Sequence, residues 1–264
     1  MDSTVLQKPK VILLAAGMGT RLGLLTKDKP KCMVPYKGQP LIDHILRGIS
    51  ACGLDDISIV GGYQIDVLRD HLKSRHLKFY VNDRFDQTNM VESLFCARQE
   101  LVGADVLVSY ADIIYRPSVL QALLAAQDGL NIVVDLEWKK LWDMRLNDPL
   151  TDAETMKFDR QGRIRELGKK PASLADIQGQ YIGLFKFSRN VLPQILKFYD
   201  GLDRSAIYDG KDFARMYMTS FLQLLIDRVM PAQAVFIRGG WLEFDTGRDV
   251  EQYQKNDSEI SLSL

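Results

Sequence analysis

Four apolar residues, Val11, Ile12, Leu13 and Leu14, run through Ala15 and Ala16 into Gly17 and Gly19, and Arg21 and Lys31 follow. Glycines in such a turn can take up positive φ and leave no side chain between backbone N–H groups and an anion. The alanines are small, so a ligand can lie against the backbone, and Arg21 and Lys31 add positive charge. The combination suits a triphosphate. Two carboxylates stand in complementary places. Asp112 follows the apolar stretch 106–110, and Asp245 follows 241–244. Ligands of open α/β sheets bind at the carboxyl ends of strands, so both aspartates could meet at one edge. There they could share one Mg²⁺, an ion that takes a few carboxylates together with waters and phosphate oxygens. The competing reading is that each aspartate caps a following helix, a serious one for Asp245 ahead of Thr246-Gly247.

Other glycine-loop chemistries fit less well. A Walker A loop needs Gly-Lys-Ser/Thr after four intervening residues, and no such run exists. A dinucleotide fingerprint needs a third glycine at position 22, which is Leu22. Further along, Gly62 and Tyr63 end an apolar run, where a bare backbone would admit a base or ribose; a plain turn competes. Asn89 could cap a helix beginning near Thr88, and Ser93, one turn into it, could face a base. His44, His71 and His76 lie in polar helical contexts and are bystanders.

The elements that must position these residues alternate through the first half. Strands are expected at 11–15, 56–60, 77–81, 105–110 and 131–135, with helices between them. Such a βαβαβ series builds a mostly parallel central sheet, an α/β fold. The second half changes texture: a hairpin at 155–167, a strand at 181–187, helices at 191–199 and 216–229, then short strands at 234–237 and 241–244. We read one domain over 1–264, with a core at 10–135, an acceptor-side elaboration at 136–240 and a tail at 255–264.

The 264 residues, 46% of them hydrophobic, suffice for a substantial core. Basic and acidic residues balance at 34 each, which speaks against a nucleic-acid binder. No apolar run is long enough to span a bilayer, and residues 1–10 lack the apolar core of a signal peptide. Three scattered cysteines form no zinc motif. The expectation is a reduced, cytoplasmic protein with no membrane partner.

The loop AAGMGTRL with KPK about ten residues on resembles the signature of the sugar-phosphate and alcohol-phosphate nucleotidyltransferases. With VGGY, DQTNMVESLFCA, SYADIIY and WLEFDT, the chain is similar to the CTP-dependent cytidylyltransferases over about 10–250. The resemblance implies a GT-A-like Rossmann fold, CTP as co-substrate and Mg²⁺. It carries the nucleotide loop onto Ala16, Gly17, Gly19, Thr20 and Arg21, and the loop-exit lysine onto Lys31. The metal carboxylates fall on Asp112 and Asp245, and the base and ribose pocket on Gly62, Tyr63, Asn89 and Ser93. The acceptor it implies is a small phosphorylated amino compound, phosphoglutamine ahead of phosphocholine or aminoethylphosphonate, in capsule biosynthesis. Glu166, Lys169, Lys170, Tyr181, Trp241 and Glu243 lie in segments expected to wall the acceptor side, with Glu243 for an ammonium and Lys170 for a carboxylate. A homodimer is allowed. A sugar-1-phosphate nucleotidyltransferase using UTP or dTTP, and a non-catalytic nucleotide-sensing module, remain open alternatives.

Overall fold

The computed structural model of the chain describes residues 7–256. Of the expected tail, residues 257–264 lie outside the described residues; Lys255 instead ends the helix Gly247–Lys255.

A nine-stranded sheet forms the centre. Its order is Lys78–Val81, Ile57–Gly61, Lys10–Ala15, Val106–Tyr110, Gln180–Phe187, Leu130–Asp135, Ala232–Ile237, Arg163–Leu167 and Met156–Phe158. The first four pair in parallel. Gln180–Phe187 and Arg163–Leu167 run against the others, so the sheet is mostly parallel in direction. The strand Lys10–Ala15 is apolar at every position from Val11 because both its faces are covered. Val11, Leu13 and Ala15 join one core with Leu41, Ile42 and Ile45 of the helix Leu41–Ala51. Ile12 and Leu14 join the other with Val91 and Leu94 of the helix Met90–Cys96.

The chain first winds outward from Lys10–Ala15 to Ile57–Gly61 and Lys78–Val81, then returns to Val106–Tyr110 on the other side. That reversal opens a crevice at the carboxyl ends of Lys10–Ala15 and Val106–Tyr110. A small antiparallel ribbon, Ile113–Tyr115 with Trp241–Glu243, crosses beside the crevice. It brings the distant segment around residue 245 back to the first half of the chain. The expected hairpin is present as Met156–Phe158 with Arg163–Leu167. The helix Trp138–Arg145 buries Trp138 and Trp142.

One irregularity shapes the site. Pairing between Gln180–Phe187 and Leu130–Asp135 shifts between Tyr181 and Phe185, and Gly183 stands there with φ of 83°. A Cβ on Gly183 would stand 2.5 Å from Tyr110 Cδ2. The glycine therefore lets Tyr110 lie against the strand and meet Tyr181 edge to face, ring centroids 5.8 Å apart. Gly183→Ala combines left-handed backbone strain with that overlap. It should lower the unfolding free energy by about 2 kcal/mol or more in urea titrations; an unchanged midpoint would mean that the bulge tolerates a side chain.

Candidate active site

The nucleotide-loop residues lie where the strand Lys10–Ala15 ends. Gly19 takes φ of 65° and starts the 3₁₀ segment Thr20–Thr26. A Cβ there would approach Lys31 Cβ to 3.0 Å, so glycine is needed both for its backbone and for the lysine beside it. Thr26 Oγ1 donates to the Gly19 carbonyl at 2.9 Å and closes the loop. From outside, Tyr63 donates its N–H to the Ala16 carbonyl at 3.2 Å and its hydroxyl to the Lys27 carbonyl at 2.7 Å. Gly17 has open space around it and, with Gly19, Thr20, Arg21 and Lys31, lines a cleft of about 190 Å³. Asp112 and Asp245 line its opposite side.

Lys31 is the meeting point. Its Nζ lies 2.6 Å from Asp112 Oδ2 and 2.8 Å from Asp245 Oδ1. Arg21 pairs with the other oxygen of Asp245 while remaining 65% exposed. Burial favours the neutral amine of Lys31, but the two carboxylates outweigh it and hold the ammonium well above the ordinary lysine value. Burial likewise pushes Asp245 up, and Lys31 and Arg21 more than reverse it, leaving the carboxyl below its usual range.

Two local features aim the aspartates inward. The Phe244 N–H donates to the Asp112 carbonyl at 2.9 Å, extending the ribbon and placing residues 112 and 245 side by side. Asp245 does not cap the last helix. Thr246 does, in a capping box with Asp249, whose Oδ2 also accepts the Asp245 N–H at 2.9 Å. The Asp245 carboxylate is thus free for Lys31 and Arg21. Asp112 Oδ1 is buried with no hydrogen-bond partner. Asp135 makes a useful contrast, since it too ends an apolar strand. Its oxygens accept from the N–H groups of Glu137 and Gly239 and from Trp241 Nε1 at 2.8–2.9 Å, so it is a structural acceptor. The orphaned Asp112 Oδ1 offers one open carboxylate position to a divalent cation whose other ligands are phosphate oxygens and water, and Asp245, whose two oxygens are held by Lys31 and Arg21, would join it by giving up one of those pairs. Among the described residues no set of three or more His, Cys, Asp or Glu side chains gathers as a metal cage.

A second cleft of about 360 Å³ adjoins the first and shares Arg21 and Met90 with it. Asn89, Tyr181 and Glu243 line it as well, and Asn89 caps the helix Met90–Cys96 through its Oδ1. Expectations for five residues need correction. Ser93 is buried and accepts from Asn82 Nδ2 at 3.0 Å; it braces the 82–89 loop and does not line either cleft. Gly62 offers no bare backbone to a base, because Phe85 Cβ and the Ala16 carbonyl fill the space of its missing side chain. Glu166 pairs with Lys157 and Lys169 on the hairpin, and Lys170 is exposed; neither lines the clefts. Glu243 is already bound by Arg145.

Residue-type reasoning missed Arg145 and Glu154. Arg145 is 2% exposed and ties Glu243 to Asp249; nothing in its local sequence announces this. Glu154 sits in the second cleft, its backbone clamped by the Gln180 amide. Burial first, then the charges of Asp152 and Glu243, push its carboxyl up to about 7 from 4.5. Between those values the folded chain keeps a proton that the unfolded chain has released, so stability falls as pH rises through the window. Glu154→Gln abolishes this titration. The variant should gain on the wild type from about pH 4.5 to 7, by on the order of 1–3 kcal/mol in urea titrations, and hold a constant difference above it. A difference independent of pH would show that Glu154 ionises as an ordinary surface carboxylate.

The family described as MobA-like NTP transferase domain matches residues 11–209. The chain is 47% identical over 246 residues to the CTP:phosphoglutamine cytidylyltransferase of Campylobacter jejuni, covering 91% of this chain and 97% of that one. It is 34% identical over 99 residues to the choline-phosphate cytidylyltransferase of Streptococcus pneumoniae, 37% of this chain and 43% of that one. Among solved structures, the inositol-1-phosphate CTP transferase from T. maritima superposes with a TM-score of 0.73 at 19% identity, over 96% of this chain and 97% of the other. The CTP:phosphocholine cytidylyltransferase from Streptococcus pneumoniae does so with a TM-score of 0.70 at 20% identity, over 97% and 100%. These two share the fold, the GT-A-like nucleotidyltransferase architecture that the resemblance implied. By its matched domain and its full-length similarity, the chain belongs to the MobA-like NTP transferase family, as a nucleotidyltransferase of the cytidylyltransferase group.

Proposed function

We propose that the protein transfers CMP from CTP to a small phosphorylated amino compound, phosphoglutamine first, and releases pyrophosphate. The observation that carries this reading is the single charged centre of Arg21, Lys31, Asp112 and Asp245 at the mouth of the glycine loop. The relative at 47% identity supports the choice of CTP and phosphoglutamine. In the reaction, an acceptor phosphate oxygen forms a bond to the α-phosphorus of CTP. The bond from that phosphorus to the bridging oxygen breaks, and pyrophosphate leaves with the electron pair.

A phosphate nucleophile is already ionised near neutral pH, so no general base is required. The difficulty is to hold two polyanions together and to stabilise charge on the transferring group. The loop backbone from Gly17 to Thr20 faces the cleft and suits the triphosphate. Arg21 lines both clefts, so its guanidinium can follow the transferring phosphoryl group between donor and acceptor. Lys31 supplies a fixed positive charge at the base of the loop. Asp112 and Asp245 would hold Mg²⁺, which would supply positive charge to offset that of the phosphates. No helix of the described residues is long and apolar enough to cross a membrane, and we place the enzyme in the cytoplasm with its CTP.

Pyrophosphate release should require a divalent metal and be fastest with CTP; faster turnover with UTP or dTTP for every acceptor would overturn the cytidylyl reading. Asp112→Ala should lower kcat by about 10²-fold or more while leaving the circular dichroism spectrum unchanged. Asp245→Ala should do the same, and the double variant should lose less than the sum of both, because the two act through one ion. Near-full activity in a folded Asp112→Ala protein would reduce that residue to a structural partner of Lys31.

A further inference from the structure

The second cleft carries acidic side chains that the protein pairs only in part. Asp152, Glu154 and Glu243 all line it. Arg145 pairs with Glu243 and Asp249 and its charge also reaches Asp152, so Glu154 is the member that no cation answers. Among the described residues no lysine or arginine pairs with Asp152 or Glu154, and the groups acting on Glu154 are the Thr219 hydroxyl and the carboxylates of Asp152 and Glu243. Gln180 accepts the Glu154 N–H and donates to its carbonyl, which fixes the carboxylate at the cleft wall. A second, independent feature accompanies it. Trp142 also lines the cleft, is only 4% exposed, and its Nε1–H has no hydrogen-bond acceptor. A buried donor left without a partner is costly, as is a half-buried carboxylate such as Glu154 without a cation. One ligand bearing an ammonium and a carboxylate would answer both.

We propose that this cleft is a head-group site for an α-amino acid, in which the acceptor's ammonium sits on Glu154 with Asp152 beside it and the acceptor's carboxylate accepts the indole N–H of Trp142. The assignment rests on the cytidylyltransferase reading above and deepens it. It replaces Glu243, which Arg145 has already neutralised, and Lys170, which lies away from the cleft. The same geometry favours amino-acid acceptors over choline-like ones. A quaternary ammonium has no N–H to donate and is held by the faces of aromatic rings. The tryptophan faces here are taken: Trp142 packs against Trp241 at 6.0 Å, and the Arg145 guanidinium lies 5.3 Å from the Trp142 ring centroid. Besides the rings of Tyr110, Tyr181 and Tyr217, the cleft offers carboxylate oxygen and an N–H donor, which suit a primary ammonium and a carboxylate. Next to it Arg21 reaches toward the cationic glycine loop. The two clefts together form a site that is positive at the phosphate end and negative at the amino end.

The test compares phosphoglutamine with its analogue lacking the α-amino group, in steady-state kinetics and calorimetry on the wild type, Glu154→Gln and Trp142→Phe. Glu154→Gln should raise KM for phosphoglutamine by about 30-fold or more while leaving the affinity for CTP unchanged. It should leave KM for the deaminated analogue at the wild-type value, so that the wild type's preference between the two acceptors disappears. Glu154→Asp, which keeps the charge, should restore part of that preference. Trp142→Phe should weaken both acceptors alike, because both keep the carboxylate. Unchanged KM for phosphoglutamine in Glu154→Gln, or an equal loss for both acceptors, would overturn the assignment. If the wild type binds CTP but turns over neither acceptor, the phosphoglutamine reading fails, and the head-group site fails with it.

Discussion

Two carboxylates cannot share a buried corner without a cation between them, and Lys31 provides it. Its ammonium touches Asp112 and Asp245, residues separated by more than half the chain. Much of the surrounding structure serves that contact. Gly19 leaves room for the lysine stem. Cys32 and Val34, nearly fully buried, pin the segment that carries it. The ribbon of Ile113–Tyr115 with Trp241–Glu243 delivers one aspartate to the other. Thr246 takes over the helix cap, so Asp245 need not. The charges are therefore arranged before any ligand arrives, which is how a site limits reorganisation when charge develops on a phosphoryl group.

The same centre is coupled to the acceptor side. Arg145 binds Asp249, and Asp249 holds the backbone of Asp245. Arg145 also binds Glu243, which lines the second cleft. One buried guanidinium thus spans the wall between the two clefts. Removing it would leave two acidic side chains without their cation, a larger disturbance than the loss of an exposed pair.

Much of this was legible in the sequence, for physical reasons that also explain what was not. The strand before the glycine loop is apolar at consecutive positions because helices cover both faces, a pattern that survives in one dimension. The loop itself is written in glycine, arginine and lysine within a few residues. Asp112 and Asp245 were recognisable because each follows an apolar strand. Asp135 does so too, and only its three filled acceptor positions show that it is structural. The pocket residues Ser93 and Gly62 were misplaced because a side chain's direction depends on tertiary neighbours: Asn82 claims Ser93, and Phe85 packs onto Gly62. Arg145 and Glu154 carry no local motif. Their roles arise from burial, which only the closed fold creates.

The central claim is that Asp112 and Asp245 hold one divalent ion against the triphosphate of CTP beside Lys31. The most direct measurement is electron paramagnetic resonance of Mn²⁺ bound to the protein with a non-hydrolysable CTP analogue. The account predicts that the wild type shows bound Mn²⁺ coupled to the nucleotide's phosphorus nuclei, and that the protein-dependent signal is lost when both aspartates are replaced by asparagine. An unchanged Mn²⁺ spectrum in the doubly substituted protein would contradict it.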